Sequence, residues 1–268
     1  MTNAGTLHRI PTRPWRWLPW LVASQVAVIL VWVLAGWRWG LPLMVATHAL
    51  FMVPVFLPNS RFYTPVLDRL ADAGDSVWLT IDDGPSAETP ALLDLLDRHQ
   101  AKATFFLVGE RALAHPVLVG EILRRGHDLG NHSHTHPQTR FWRLGPAAMR
   151  AEIEGCHQAL EAVSGRPARW YRSVVGMTNP FVAPVLKKLG LVRVGWSARG
   201  YDGVGCTPQG VLARLLPDLR PGAIVLLHEG AAHGHNLAII ERVLQVLDER
   251  GLKAQLLHNN SDSTPGQV

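Results

Sequence analysis

The stretch VWLTIDDGP, residues 77–85, carries the clearest sequence signal for the fold of this chain. Five apolar or β-branched residues are followed at once by two aspartates, Asp82 and Asp83, and then by a Gly-Pro pair. A short apolar run that ends at turn residues is typical of a strand buried on both faces of a parallel sheet. The stretch therefore predicts a buried strand whose carboxyl end presents two adjacent carboxylates.

The same strand-like pattern recurs along the chain and alternates with amphipathic helical stretches. Predicted strands lie at 77–81, 103–108, 127–131, 169–172, 191–196, 223–228 and 253–257. Predicted helices lie near 89–99, 115–125, 146–164, 179–190, 208–216 and 237–250. Strands that alternate with helices predict an α/β fold with a parallel sheet and right-handed crossovers. Seven such repeats favour a closed or nearly closed barrel over an open sheet.

Residues able to do chemistry collect where the predicted strands end. They are Asp82 and Asp83 after the first strand, His132 and His136 after the third, Arg172 after the fourth, Asp202 after the fifth and His228 at the end of the sixth. The carboxyl ends of the strands in a parallel α/β barrel form the face on which active sites are built. We therefore expect these side chains to surround one mouth.

The loop GNHSHTHP, residues 130–137, indicates a metal site. A single His-x-x-x-His pair is more often structural than metal-binding, but here Asp83 can add a carboxylate to His132 and His136. Two imidazoles and one carboxylate suit a catalytic zinc ion, because this set leaves a position open for water or substrate. We expect His134, between the two ligands, to point away from the ion.

Five segments, taken together and in chain order, resemble the motifs of the polysaccharide deacetylases of the NodB-homology family, carbohydrate esterase family 4. They are TIDDGP (80–85), NHSHTHP (131–137), YRS (171–173), WSARGYD (196–202) and IVLLHE (224–229). The first two segments are specific together, whereas the last three are degenerate. The resemblance covers about residues 76–257 and implies a distorted seven-stranded (β/α) barrel of NodB type.

The resemblance also implies a role for each candidate residue. The implied metal ligands are Asp83, His132 and His136. They would hold a divalent ion, for which we favour Zn²⁺. The implied acid–base set is Asp82 as general base, Arg172 as the arginine that holds the base, His228 as general acid and Asp202 as the carboxylate that orients the acid. Leu226 is similar to the apolar residue that accepts the acetyl methyl group in this family.

Two segments depart from the family pattern. After Arg172 the family usually has a proline and an aromatic residue, whereas this chain has SVVG at 173–176. In the fourth motif, Arg199 stands where the family has its first acid and Gly203 where it has a tryptophan. The residues that would contact the sugar therefore differ from those of the family. For this reason the resemblance does not identify chitin or peptidoglycan as the substrate of this chain. A more open mouth would suit a lipid-linked sugar.

The N-terminal part of the chain has the pattern of a membrane anchor. Residues 17–37 contain no charge and reach about 30 Å as a helix, the thickness of a bilayer core. Six of the ten tryptophans fall in the first 39 residues, at both ends of this segment, as in an aromatic belt. The segment is too long for the apolar part of a signal peptide. A second uncharged stretch, 41–58, is interrupted by Pro42 and Pro54 and is either a second span, which we favour, or a buried or interfacial segment.

The distribution of charge indicates a membrane-associated protein rather than one that binds nucleic acid. The net charge is +5, but residues 1–75 alone contribute six arginines against three aspartates, and no dense basic face with interleaved aromatic residues follows. We therefore expect the lipid bilayer, and no nucleic acid, as a partner. Arginines flank both spans, at positions 9, 13 and 16 and at positions 61 and 69, whereas only Arg38 lies in the turn. This bias predicts an N-terminus in the cytoplasm.

These observations predict a membrane anchor at residues 1–60, a linker at 61–75, a NodB-like deacetylase domain at 76–257 and a polar tail at 258–268. Two spans would place the catalytic domain on the cytoplasmic face of a bacterial-type inner membrane, as part of a multi-pass protein. One span would place it in the periplasm.

The expected activity is that of a metal-dependent hydrolase that removes an N-acetyl, or alternatively an N-formyl, group from an amino sugar. The sugar belongs either to a polymer or to a lipid-linked saccharide. The rival hypothesis is a membrane-tethered barrel that binds carbohydrate without turnover. The complete set of candidate catalytic residues argues against that rival.

Overall fold

The computed structural model describes residues 10–204 and 207–257, so the predicted tail at 258–268 lies outside the described residues. The strands are β1 (Ser76–Gly84), β2 (Ala103–Leu107), β3 (Asp128–Asn131), β4 (Trp170–Tyr171), β5 (Val192–Arg193), β6 (Ala198–Arg199), β7 (Ile224–His228) and β8 (Lys253–Ala254). The helices are α1 (Leu18–Ala35), α2 (Trp37–Met52), α3 (Thr89–Arg98), α4 (Gly109–Ala114), α5 (Pro116–Arg124), α6 (Pro146–Ser164), α7 (Val182–Leu189), α8 (Pro208–Leu215) and α9 (Asn236–Glu249).

The strands form one parallel sheet in the order β5-β4-β3-β2-β1-β7-β6, and β8 pairs with the start of β1. The two end strands do not pair with each other. Between them lies the segment after α2, in which Leu67 bridges Val194 and Arg69 bridges Ala223. The sheet is therefore curled into a nearly closed barrel, and the predicted fold class is confirmed. Neither β6 nor α4 is predicted by the sequence pattern, because each is too short to show a period.

The central strand β1 separates the core from the mouth by simple alternation. Successive side chains of a strand point to opposite faces. Val77, Leu79 and Ile81 pack outward against the surrounding helices. Trp78 packs with Phe106 and Trp170 in a separate cluster. The same alternation places Thr80 and Asp82 on the Trp78 face, so Asp82 lies at the carboxyl end of the inward-facing row.

The two N-terminal helices are joined by a sharp bend at Gly36, whose φ of 79° is costly for any residue with a side chain. Helix α1, with 18 residues and a mean hydropathy of 2.1, is long and apolar enough to cross a membrane, and only 6% of it is buried. Helix α2 has 16 residues and continues into a short 3₁₀ turn, Val53–Val55. The helices are shorter than the predicted spans of 17–37 and 41–58, and the bend precedes Arg38 by two residues.

Both free ends of this helical pair meet the barrel. Trp17, which directly precedes α1, packs with Phe51, Val55 and Tyr63, and Trp142 of the barrel packs against this cluster. The Tyr63 hydroxyl donates a hydrogen bond to the Phe51 carbonyl at 2.6 Å. Lys187, on α7 of the barrel, donates to the Thr12 carbonyl at 3.0 Å. The pair is therefore an antiparallel hairpin with its two open ends on the barrel and its bend away from it.

Candidate active site

A bulge in β1 turns two consecutive aspartates toward the same mouth. Asp82 lies opposite Phe106 and Gly84 lies opposite Leu107, so Asp83 is the extra residue in the pairing with β2. Its φ of 72° marks the local distortion. A regular strand would point neighbouring side chains to opposite faces, and a bulge re-aims one of them. The distortion makes both carboxylates available at one site.

Asp83, His132 and His136 form a cluster that can hold a metal ion. The Oδ1 atom of Asp83 lies 3.4 Å from His132 Nε2 and 3.1 Å from His136 Nε2. This buried oxygen has no hydrogen-bond partner of good geometry. The other ring nitrogen of His132 donates to the Arg172 carbonyl at 2.9 Å, which directs Nε2 toward the cluster. The donor set therefore fits a divalent cation of the zinc type.

The surroundings also favour the ionised form of Asp83. Burial alone would raise the pKa of this carboxyl group, but the two imidazoles outweigh burial and lower its pKa far below the usual range. His134, between the two ligands, packs instead against Gly109 and Gly155, where an added Cβ would collide with its ring. The imidazole expected to point away from the cluster does so.

Asp82 is paired with a fully buried arginine. Arg172 Nη1 donates to Asp82 Oδ1 at 2.7 Å and to Thr80 Oγ1 at 2.8 Å, and Arg172 Nη2 donates to the Gly195 carbonyl at 2.9 Å. The guanidinium also lies 4.2 Å from the centroid of the Phe106 ring. An arginine with this many fixed partners has one orientation. It therefore holds Asp82 in place from behind.

His228 lies beside Asp82 because β1 and β7 are neighbours, and the two residues are direct partners in the register. Asp202, which is fully buried, accepts hydrogen bonds from His228 Nδ1 at 3.0 Å and from the His228 backbone N–H at 2.7 Å. Burial lowers the pKa of His228, but the charge and hydrogen bond of Asp202 outweigh it and raise the pKa to about 9. His228 is therefore an imidazolium at neutral pH.

These groups line one cavity that is open to solvent. Its chemically active residues, which we call the floor, are Asp82, Asp83, His132, His136 and His228. Leu226 lies between them on β7 and adds an apolar surface. Arg172 and Asp202 do not line the cavity but lie behind the floor residues that they hold. The structure thus brings all eight predicted site residues together, and their individual roles stay predictions.

The other cavity-lining residues include Val175, Gly176, Trp196, Arg199 and Tyr201, which we call the outer wall. This wall is fixed by the segment that follows α2. Asn59 Nδ2 donates to the Trp196 carbonyl at 2.7 Å. Pro58 packs so closely on Gly176 that a Cβ added there would lie 2.7 Å from it. The outer wall therefore rests on the root of the helical hairpin.

Three residues that support the site carry no sequence signal of their own. Glu152 on α6 accepts hydrogen bonds from the His134 and Thr135 backbone N–H groups, both at 2.9 Å, and so holds the metal loop. Glu229 accepts from Ser86 and Thr89, at 2.7 and 2.5 Å, beside Gly84. His233 donates to the Asp202 carbonyl at 2.6 Å. Residues of this kind are ordinary polar residues in a sequence and are recognised only by their contacts.

Comparisons with known proteins show to which family and fold this chain is similar. The family described as polysaccharide deacetylase matches residues 70–194. A chitooligosaccharide deacetylase from Azorhizobium caulinodans is 30% identical over 203 residues, which cover 70% of this chain and 96% of the relative. A family 4 carbohydrate esterase from Streptomyces lividans, solved in complex with acetate, is 32% identical with a TM-score of 0.63 and covers 69% of this chain and 94% of its own.

A third similar protein has a different character. It is a family 4 pseudoenzyme from Bacillus anthracis, 26% identical with a TM-score of 0.63, and the match covers 70% of this chain and 66% of that one. Both enzymes and a pseudoenzyme therefore share this fold. Likeness alone does not decide turnover, and the residues of the site have to carry that conclusion.

Proposed function

The chain belongs to the polysaccharide deacetylase family, and from this premise we propose that it hydrolyses the N-acetyl amide of an amino sugar presented at a membrane surface. One observation carries the activity. A carboxylate held by arginine and an imidazolium held by carboxylate flank a possible metal cluster in a single cavity. The family fold can exist without turnover, but such a complete acid–base arrangement has a function only in a reaction that moves two protons.

Asp82 supplies the base for this reaction. Its Oδ1 is occupied by Arg172, so Oδ2, which lies 3.6 Å from His132 Nε2, faces the metal cluster and is free to take a proton from the attacking water. The hydrogen bonds to Thr80 and Gly195 fix the arginine and thereby the carboxylate. Preorganisation of this kind avoids reorientation during the reaction.

His228 supplies the acid. An amine is a poor leaving group unless it is protonated, and His228 carries the proton at neutral pH because Asp202 raises its pKa to about 9. Asp202 occupies Nδ1, so Nε2 is the nitrogen that donates toward the cavity. Leu226, between the acid and the rest of the floor, offers an apolar contact of the size of a methyl group.

A metal ion completes this site, and Asp83, His132 and His136 would hold it. A bound divalent ion polarises the amide carbonyl and lowers the pKa of the attacking water. We propose zinc, because two neutral imidazoles and one carboxylate at a site with an open position are typical of catalytic zinc. The buried, unpartnered Oδ1 of Asp83 supports this choice.

We also propose that the substrate is lipid-linked rather than a finished polymer. The outer wall of the cavity rests on Pro58 and Asn59, only a few residues beyond the helical hairpin. If α1 crosses a membrane, the mouth lies close to the bilayer surface. A sugar attached to a lipid would reach this mouth directly.

The location follows from the same hairpin. Both open ends of α1 and α2 contact the barrel, which supports two spans with the catalytic domain on the side of the N-terminus. Helix α2 and its 3₁₀ extension reach about 30 Å, enough for a second span. The arginine bias then supports the cytoplasmic face of a bacterial-type inner membrane.

The activity is tested by product detection with the full chain in detergent, loaded with zinc. The substrates are chitooligosaccharides, peptidoglycan fragments and a lipid-linked N-acetylamino sugar. We expect free acetate and a new amine in equal amounts, with the highest kcat/KM for the lipid-linked sugar. Release of formate instead of acetate would show that the acyl group is formyl. Absence of both products with every substrate would favour the non-catalytic carbohydrate-binding barrel.

The metal site is tested with His136→Ala. This change removes one of the three ligands, so we expect both the bound zinc and the turnover to be lost while the barrel stays folded. His134→Gln is the matched control, because this histidine is in the same loop but packs on Gly109. Full zinc occupancy in His136→Ala, measured by metal analysis, would contradict the ligand set.

The topology is tested by paired reporter fusions after Arg38 and after Asp75. We expect the first reporter in the periplasm and the second in the cytoplasm. Two periplasmic signals would mean a single span, and a cytoplasmic lipid-linked precursor would then lose its support.

A further inference from the structure

The outer wall contains a cation that the acid–base machinery does not use. Arg199 lines the same cavity as Asp82 and His228. Its guanidinium carbon lies 4.8 Å from the Trp196 ring centroid and 4.4 Å from that of Tyr201. Arginine stacks on aromatic faces in this way, so the two rings hold the guanidinium in position.

Arg199 differs from Arg172 and His228 in having no carboxylate at ion-pair distance among the described residues, although the charges of Asp202 and Asp82 act on it from further away. Arg172 is paired with Asp82, and His228 is paired with Asp202. Within the described residues, 10–204 and 207–257, no carboxylate lies within 4 Å of the Arg199 guanidinium. Its Nε atom is buried and has no hydrogen-bond partner. A fixed, partly desolvated cation without a partner is incomplete until an anion is bound.

We propose that Arg199 is the anion-binding subsite of this active site, so that the amino-sugar substrate carries a phosphate or carboxylate group close to the amide that is hydrolysed. The planar fork of a guanidinium matches the oxygens of either group. Arg199 lines the same cavity as the floor residues and is the register partner of Leu226 on the neighbouring strand β7, so its guanidinium lies close to a sugar bound at the floor. The inference rests on the proposed function and narrows its substrate class to anionic amino sugars.

The two anions have different sources. A phosphate on the anomeric carbon is the group by which a sugar is linked to a lipid carrier. A carboxylate would come from an acidic sugar of a polymer.

The test compares three soluble substrates on the full-length, zinc-loaded chain. They are N-acetylglucosamine 1-phosphate, N-acetylmuramic acid and the neutral methyl glycoside of N-acetylglucosamine. We expect wild type to have the higher kcat/KM for a charged substrate. Arg199→Gln should lower that advantage by about 10- to 100-fold, mainly through KM, the usual range for a lost hydrogen bond to a charged group. Arg199→Lys should restore part of it.

Arg242→Gln is the matched control. It removes the same charge from the exposed face of α9, where Arg242 pairs with Glu249, and should leave the substrate preference of wild type unchanged. Comparison of N-acetylglucosamine 1-phosphate with N-acetylmuramic acid shows whether Arg199 binds a phosphate or a carboxylate. Equal losses for neutral and charged substrates in Arg199→Gln, or a wild type without preference for charge, would overturn the anion subsite.

A binding measurement separates this inference from the proposed activity. In the Asp82→Asn background, titration calorimetry with N-acetylglucosamine 1-phosphate should show weaker binding when Arg199→Gln is added. If the wild-type chain turns over none of the substrates but this difference in binding remains, the deacetylase proposal fails and the anion subsite stands. Binding that is lost on zinc removal and not on Arg199→Gln would assign the phosphate to the metal and overturn the subsite.

Discussion

The floor and the outer wall of the cavity are built in different ways. Every floor residue lies at or just after a strand end, and Asp82 and His228 are direct partners of neighbouring strands. The outer wall comes from the ends of short elements, and Pro58 and Asn59, beyond the hairpin, hold it from outside the sheet. The floor matches the family motifs, whereas the wall departs from them. The sheet therefore fixes the chemistry, and a separate part of the chain sets the shape offered to the substrate.

Unusual backbone conformations occur in both the floor and the outer wall. Of the seven described non-glycine residues with a positive φ, four line the cavity: Asp83 and His136 on the floor, and Val175 and Tyr201 on the outer wall; the other three are Asp72, Gln100 and Ser133. Such conformations persist only where the surrounding structure determines them. Both regions therefore contain distorted backbone; Asp83 lies between paired residues of β1, whereas His136, Val175 and Tyr201 lie outside the strands.

The largest expected effect concerns the floor. Asp82→Asn should keep zinc but lower kcat by about 10²- to 10⁴-fold, because an amide cannot take the proton of the attacking water. Asp83→Asn, one residue further, should lose the metal as well. Kinetics and metal analysis of both variants test whether Asp82 acts as the base and Asp83 as a metal ligand.

In the Asp82→Asn protein, the new amide oxygen would still accept a hydrogen bond from Arg172, but the buried arginine would lose its counter-ion. Removal of one partner of a buried ion pair costs about 3–5 kcal/mol, so thermal unfolding has to be measured beside the kinetics. Wild-type kcat in a folded Asp82→Asn protein, or loss of its zinc, would show that the roles within the aspartate pair are wrongly assigned.

An intermediate effect is expected for the acid. His228 is protonated below its pKa of about 9, so activity should fall as the pH rises through that value. Asp202→Asn removes the charge that raises this pKa, and the alkaline limb of the kcat profile should move to lower pH by about one to two units. The pH dependence of kcat measures the shift directly.

Stability should follow the same titration. The raised pKa of His228 means that its pairing stabilises the fold fully below the unfolded pKa of about 6.5 and that this contribution is lost as the pH rises through about 9. Asp94→Asn, at an exposed pair with Arg125, is the control for loss of a carboxylate. An alkaline limb that does not move in Asp202→Asn would mean that another group is the acid.

The smallest expected effect concerns the outer wall and its support. Asn59→Ala removes the hydrogen bond to the Trp196 carbonyl, which is worth about 0.5–1.5 kcal/mol. We expect a loss in kcat/KM of a few-fold at most, carried mainly by KM, because the wall contacts the substrate and not the reacting protons. Steady-state kinetics with the preferred substrate measure it.

Ser60→Ala is the neighbouring control, since among the described residues its hydroxyl accepts only from the Phe62 backbone N–H at 3.3 Å and the carbonyl that binds Arg193 is kept. A loss confined to kcat in Asn59→Ala would mean that the segment acts on the floor. The separation between the two regions would then be wrong.

Much of the floor could be predicted from the sequence because its signals are local. A strand such as 77–81 and the His-x-x-x-His loop each carry their own pattern, and the resemblance to the family supplied roles for Arg172, Asp202 and Leu226. The contributions of Glu152, Glu229 and His233 could not be predicted, since each depends on a partner in a distant element. The same holds for Arg199, which the sequence marks only as a departure.

Most of the strands and helices, the apolar N-terminal segment and the identity of the candidate ligands follow from local sequence patterns, because periodicity and residue type are properties of short stretches; the short elements β6 and α4 do not. Only the tertiary structure decided that β1 lies between β2 and β7, which places Asp82 beside His228 although they are far apart in the chain. It also decided that Asp83 is the bulged residue and that the hairpin root supports the outer wall. These features depend on strand pairing and long-range packing, which no local pattern records.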